Sequence, residues 1–472
     1  MAEPEVPLPL EPYRIKVVEP IARLDRTGRE AALERAGFNL FQLRSSEVFI
    51  DLLTDSGTSA MSDRQWGALL QGDESYAGSR NYEHLESTVR DLTGLPEVVP
   101  VHQGRAGEHL LMEVLVPAGS IVPNNMHFDT TRAHVENRGA KALDLPCPEA
   151  MDLRSDAPFK GNMDLQALRG LLEGPDRRKV PLVLLTITNN TGGGQPVSLE
   201  NAQGVSTLCR KAGVPLFLDI CRWAENAFLV REREPGQGSR SIPQIGRSFF
   251  DLADGVNMSA KKDGLVNMGG FLATRDPALA ARLRERLILY EGFPTYGGLA
   301  RRDLEAMAVG LREATDLEYL RHRVGQVRYL AGLLEPMGVP FVRPVGGHGV
   351  YLDAKGFLPH LEDADLPGQA LCVELYREGG VRSVEIGPVM FGEEDAPGAP
   401  RLPPLVRLAI PRRVYTASHL AYVAETVRRV WSRRDEVAGL RMVDAPAHLR
   451  HFLARFAPAP PASPGASART TP

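Results

Sequence analysis

Val180 to Thr188 reads VPLVLLTIT, a β-branched and leucine run with no polar alternation. A run of this kind suits a strand buried on both faces. A second one, GVPLFLDI from Gly213 to Ile220, follows after the helix-like LENAQGVSTLCRKA. Doubly buried strands joined through a helix predict a parallel sheet covered by helices, the α/β class. Such sheets keep their ligands at the carboxyl ends of the strands, and Asp219 ends the second run.

The chain has 472 residues, more than one hydrophobic core usually supports, so two domains are expected. A formal net charge of −4 gives no global electrostatic case for nucleic acid or anionic membrane. No run is long enough to span a bilayer, and the acidic, Pro-rich MAEPEVPLPLEPYRIKVVEP is unlike a signal or transit peptide. The four cysteines, Cys147, Cys209, Cys221 and Cys372, have no zinc-like spacing and no dense disulfide pattern, which points to a reducing cytoplasm. Leu304, Met307, Ala308 and Leu311 fall at helical spacing and open a long amphipathic segment through YLRHRVGQVRYLAGLLEPMG, expected to link a large domain to a smaller one. The terminal APAPPASPGASARTTP cannot build a core and reads as disordered.

NMSAKKDGLVNMGGF, Asn257 to Phe271, sets two lysines among small and apolar neighbours. A lysine in such a setting has a lowered pKa, suited to a Schiff base with an aldehyde. Pyridoxal phosphate (PLP) is the obvious aldehyde. Its ring nitrogen needs a carboxylate, which Asp219 offers. Its phosphate needs a helix start and cations, which HQGRAGEHLL offers with Arg105. Its ring needs an aromatic, and Phe128 in NMHFDTT is available. Taken singly, each has an ordinary reading: a solvated lysine pair, a helix cap, a glycine turn. The ordered set favours a PLP enzyme of the aspartate-aminotransferase fold, fold type I, with a mostly parallel sheet in the large domain and a smaller α/β domain.

EPYRIKVVEP, FIDLLTDSGT, GDESYAGSRNY, HQGR, FKGNMDL, GGGQPVSL, MSAKKD, EGFPTYGGL and AIPRRVYT together resemble the tryptophanase and tyrosine phenol-lyase family, from about Glu11 to Phe456. The resemblance implies PLP-dependent β-elimination from an aromatic amino acid, helped by potassium. It also implies a homotetramer, a dimer of dimers with shared active sites. The corresponding domain division is 1–60 and 316–456 for the small domain, 61–315 for the large one, and 457–472 for the disordered tail.

Carried onto matching positions, the resemblance makes Lys262 the Schiff-base lysine and the base for the α-proton. Lys261, Ser259, Gln103, Gly104 and Arg105 would hold the phosphate. Asp219 would pair with the pyridine nitrogen, Asn190 and Arg222 would approach the phenolic oxygen, and Phe128 would stack on the ring. Arg407, with Thr54, would hold the substrate carboxylate. Tyr76 would help protonate the leaving group from the partner subunit, and Phe41, Ile386 and Phe293 would line the substrate pocket. Glu74, with the carbonyls of Gly57 and Asn267, would surround potassium. The chain departs from the family pattern in Ala106-Gly107, in the extra glycine of NNTGGGQP and in the Pro/Ala-rich tail.

An aminotransferase would share the lysine, the aspartate and the phosphate site, and a non-catalytic PLP-binding protein is a further alternative. Tyr76 and the cation motifs favour the lyase. Flanking segments such as KKDGLVNMGGF and RHRVGQVRYL look more like tyrosine phenol-lyase. The leaving-group positions point the other way: Asp129 and Ile386 stand where tyrosine phenol-lyases have threonine and arginine, and His451 matches tryptophanases. Isoleucine cannot hydrogen-bond a phenol, and a buried hydroxyl left unpaired costs roughly 1–3 kcal/mol. Pocket contacts set discrimination, so L-tryptophan giving indole is the expected reaction, with tyrosine phenol-lyase the alternative.

Overall fold

The computed structural model describes residues 6–392, 404–446 and 449–459. Its central sheet orders five strands as Glu97–Val101, Gly270–Thr274, Gly255–Ser259, Leu216–Asp219 and Val183–Thr186. Only Gly270–Thr274 runs against its neighbours. The two expected strands pair in parallel, Val183 beside Leu216 and Thr186 beside Asp219. Each is fully or nearly buried along its length, which explains the unbroken apolar runs. Ile121–Asn124 and Lys141–Asp144 form a second parallel pair.

Between Val183–Thr186 and Leu216–Asp219 lies the helix Leu199–Ala212, its apolar face formed by Leu199, Ala202, Val205, Leu208 and Cys209. Ser198 caps its start by accepting from the Asn201 N–H, and Gly213 ends it at φ +63°, a conformation that favours glycine. The amphipathic segment expected to run on from Leu304 is two helices, Arg301–Glu313 and Leu317–Leu334. The break comes where Asp316 turns its carboxylate onto the Tyr319 N–H and starts a new helix.

The second of these helices joins two apolar cores. Its Tyr319, Leu320 and Val324 pack with the large sheet. Its Val327, Leu330 and Leu334 pack into another core with Leu33, Ile50 and Leu52 near the N-terminus and Val406, Leu408 and Val427 near the C-terminus. There the strands Val384–Ile386, Leu405–Ala409 and Gly349–Asp353 form an antiparallel sheet, and Ile50–Asp51 pairs with Val381–Arg382. A last strand, Arg455–Pro458, pairs with Leu440–Asp444, so order continues past Phe456, where the tail was expected to begin. Residues 460–472 of that tail lie outside the described residues. All four cysteines are free and buried. Among the described residues no helix is long and apolar enough to cross a membrane.

Candidate active site

The helix Gly104–Leu115 begins at Gln103 with no side-chain cap, so its first N–H groups are open to an anion. A Cβ on Gly104 would lie 2.6 Å from that of Ser259, so glycine lets the helix start abut the end of the Gly255–Ser259 strand. A Cβ on Gly107 would lie 2.2 Å from Asn257 Oδ1, which accounts for the Ala106-Gly107 order. Lys261 Nζ donates to Gln103 Oε1 at 3.2 Å. Burial, then repulsion from Lys262 and Arg105, lowers the Lys261 pKa. Lys261 thus stands at a helix start without a side-chain cap, with Arg105 and Lys262 near enough to repel it, the electrostatics of an anion site.

Gln103 is itself oriented. Glu291 accepts from the His102 backbone N–H at 2.9 Å and from His102 Nδ1 at 2.5 Å. With Nδ1 donating, His102 Nε2 becomes an acceptor, 2.9 Å from Gln103 Nε2, and the amide oxygen faces Lys261.

Asp219 closes its strand at the same edge, its Oδ1 accepting from the Cys221 N–H at 3.0 Å. Lys262 Nζ lies 3.9 Å from Cys221 Sγ. Near them Glu108 is buried and accepts from the hydroxyls of Thr130 at 2.8 Å and Thr131 at 2.7 Å. Burial, then the Asp219 charge, pushes its pKa up to about 7.

Asn190 follows the Val183–Thr186 strand. Its Oδ1 accepts from the Tyr351 hydroxyl at 2.7 Å and from Arg407 Nη1 at 3.0 Å, and lies 3.0 Å from His348 Nε2. An oxygen so occupied leaves Nδ2 as the outward donor. Burial, then the Arg222 charge, holds His348 far below its ordinary pKa, so the ring is neutral. Arg407 Nη2 donates to the Leu53 carbonyl at 2.9 Å, while Nε is buried with no partner among the described residues. Arg222 gives Nε and Nη2 to Asp55 at 2.9 and 2.7 Å. Burial favours the neutral form of Asp55, but Arg222 and Arg412 outweigh it and hold the carboxyl well below its usual range. Tyr351, His348 and Asp55 were not among the sequence-derived candidates.

Phe41, Phe128 and Ile386 belong to one apolar cluster with Leu53, Tyr351 and Met390. At its border His451 Nε2 meets Asp129 Oδ2 at 3.0 Å, and the Phe41 ring packs edge-on against His451 at 5.5 Å. Phe293 sits apart from this group: its ring packs on Tyr76, with centroids 5.6 Å apart. Tyr76 is 61% exposed, flanked also by Tyr296 and Arg301. Thr54 Oγ1 accepts from the Ser56 N–H at 3.1 Å. Gly57 and Asn267 are neighbours: Asn267 Nδ2 donates to the carbonyls of Gly57 and Ser59, both at 3.1 Å. Glu74 is held by Arg302 Nη1 at 2.7 Å, in a half-exposed ion pair.

The site as a whole brings a phosphate-type cradle, a carboxylate, a lysine, a buried arginine with a spare donor and an apolar cluster to one sheet edge. The family described as Beta-eliminating lyase matches residues 51–426. The chain is 54% identical over 448 residues to a tryptophanase of Hyphomonas neptunium, covering 95% of this chain and 98% of that protein. It is 50% identical over 452 residues to a tyrosine phenol-lyase of Pasteurella multocida, covering 95% and 99%. Among solved structures, Leishmania major threonine aldolase superimposes with a TM-score of 0.57 at 14% identity, covering 81% of this chain and 99% of that one, a likeness of fold alone.

Proposed function

Because this chain belongs to the beta-eliminating lyase family, we propose that it acts on L-tryptophan, releasing indole, pyruvate and ammonia. The residues present fit PLP: the uncapped helix start with Lys261 and Arg105 suits its phosphate, and Asp219 suits its ring nitrogen. When bound, PLP supplies an electron sink for charge developing at the substrate's α-carbon. Gln103, Gly104, Arg105, Ser259 and Lys261 would hold the phosphate, Phe128 would stack on the ring, and Asn190 Nδ2 and Arg222 would meet the phenolic oxygen.

Lys262 would hold the cofactor's aldehyde end, and its amine is the base for the substrate's α-proton. Arg407 holds the substrate carboxylate together with Thr54; its buried Nε, without a partner among the described residues, is a donor such a clamp can use. The Tyr76 hydroxyl delivers a proton to the departing indole carbon. Its exposed ring, steadied by Phe293, Tyr296 and Arg301, suits a residue that serves a neighbouring subunit's site in a dimer of dimers. The carbonyls of Gly57 and Asn267 offer potassium hard oxygen donors, and Glu74 exchanges Arg302 for the cation. The two apolar cores support a large domain of 61–315 and a small one built from both chain ends. A cytoplasmic location accords with the free cysteines.

One observation carries the choice of substrate: the buried Asp129–His451 pair beside the apolar Ile386 cluster. Indole presents a broad apolar face and one N–H donor, which Ile386 and the Asp129 carboxylate match. Tyrosine phenol-lyase is the second reading, favoured by near-equal identity to relatives of that name. Purified protein given PLP, potassium and each amino acid distinguishes the two: indole from tryptophan supports the proposal, and phenol from tyrosine supports the second. Conversion of either to its keto acid without arene release would support an aminotransferase.

A further inference from the structure

We propose that Arg412 is a positioning residue, a single guanidinium that sets Lys262, Arg222 and Arg407 in register; this rests on the site reading above. Arg412 is fully buried. Its Nη1 donates to Asp55 Oδ2 at 2.9 Å and to the Asp55 carbonyl at 3.2 Å. Its Nη2 donates to Glu225 Oε1 at 2.6 Å and to Asp263 Oδ1 at 3.0 Å.

Each partner leads to the site. Asp55 holds Arg222 through two hydrogen bonds and directly follows Thr54. Asp263 directly follows Lys262, and its other oxygen accepts from the N–H groups of Ala224 and Glu225 at 2.8 and 3.3 Å, pinning the lysine turn to the helix Trp223–Arg233. Arg412 itself follows the strand Leu405–Ala409, which carries Arg407. The intervening Ile410 is fixed on both sides: its N–H donates to the His348 carbonyl at 2.9 Å, and its carbonyl accepts from Arg323 Nη1 at 2.5 Å. Three guanidiniums (Arg222, Arg323, Arg412) thus face three carboxylates (Asp55, Glu225, Asp263), all buried and drawn from five segments of the chain.

Such a network is a weak source of stability, because desolvation consumes most of the attraction between its charges. What it supplies is geometry. A planar fork reaches acceptors on separate segments at once, and an ammonium on a flexible stem cannot reproduce that. Arg222 and Asn190 face the cofactor's phenolic oxygen in this reading. A slip of the Asp55–Arg222 pair would therefore alter the proton affinity of the bound chromophore, and a slip of the lysine turn would slow proton transfer.

The test compares holoenzymes of wild type, Arg412→Lys, Asp55→Asn and Arg413→Lys. Arg413 is the adjacent residue; its guanidinium pairs with Glu313 at 2.9 Å and lies over the Tyr319 ring. The readouts are the pH midpoint of the bound cofactor's visible band and the separate kcat and KM for substrate. For Arg412→Lys the midpoint moves by about one pH unit and kcat falls about tenfold or more, with KM less affected. Asp55→Asn, which preserves volume, moves the midpoint too and keeps the test open if Arg412→Lys does not fold. Arg413→Lys leaves both readouts at wild-type values. A normal midpoint and kcat in Arg412→Lys, a normal midpoint in Asp55→Asn, or an equal loss in Arg413→Lys overturns the proposal. A wild-type protein with no cofactor band overturns the site reading itself, and this proposal with it.

Discussion

His451 Nε2 lies 3.0 Å from Asp129 Oδ2, and both side chains are buried. Both positions are held locally. Asp129 Oδ1 accepts from the Thr130 N–H at 2.7 Å, and the His451 carbonyl accepts from Asn39 Nδ2 at 3.1 Å. The pair thus joins the segment carrying Phe128 to the C-terminal segment at the edge of the Ile386 cluster. A carboxylate fixed there can accept a hydrogen bond from an indole N–H, while isoleucine offers a phenol hydroxyl nothing.

His451→Phe should lower kcat/KM for tryptophan by about tenfold or more, because the Asp129 charge loses its partner and the indole N–H loses a fixed acceptor. An amino acid with a thiolate leaving group, which has no N–H to place, should lose much less. Parallel steady-state kinetics on both substrates check this; equal losses would show a general structural defect instead.

Lys262→Ala should abolish the visible absorbance of bound cofactor, whereas Lys261→Ala should mainly weaken its retention. Lys261 already donates to Gln103 at the helix start, and Lys262 lies beside Cys221 and the strand edge. Borohydride reduction and peptide mapping should find the label on Lys262. Label on Lys261 would reverse the assignment.

Glu108 predicts a pH dependence of stability. Its folded pKa, about 7, lies above the ordinary value of 4.5, so the folded state binds more protons than the unfolded state between those values. Its contribution is therefore fully present below about pH 4.5 and is lost as pH rises through about 7. The shift corresponds to roughly 3 kcal/mol. Glu108→Gln should flatten that part of the profile, since glutamine can still hydrogen-bond Thr130 and Thr131. Chemical denaturation of both proteins from pH 4 to 8 measures the difference.

Replacing potassium by sodium should reduce activity. Gly57 and Asn267 are neighbours, and in the proposed site a smaller ion would need shorter contacts to their carbonyls. Glu74→Gln should remove most of the cation response. Activity indifferent to the cation would count against the site.

Much of the scaffold is legible in the sequence because its signals are local. The runs ending at Thr188 and Ile220, the helix between them and the Lys261–Lys262 turn each show in a few consecutive residues. The resemblance then supplies Asp129 and His451, which no spacing would have brought together. The buried network has no such signal: Asp55, Glu225, Asp263, Arg323 and Arg412 come from separate segments and read singly as surface charges. The break at Asp316 is hidden for another reason. Apolar spacing continues on both sides of it, and only the capping carboxylate marks the change of helix. His348 and Tyr351 lie in a strand region whose sequence looks like ordinary core, and their role at Asn190 depends on tertiary approach.

In the proposed reading, the Asp129–His451 pair and the Ile386 cluster shape this pocket for an indole leaving group. The most direct measurement is the ratio of kcat/KM for L-tryptophan to that for L-tyrosine, with saturating PLP and potassium and with indole and phenol quantified as products. The structure predicts a ratio well above one, with indole and pyruvate formed in equal amounts. A ratio below one, with phenol as the main arene, would contradict it.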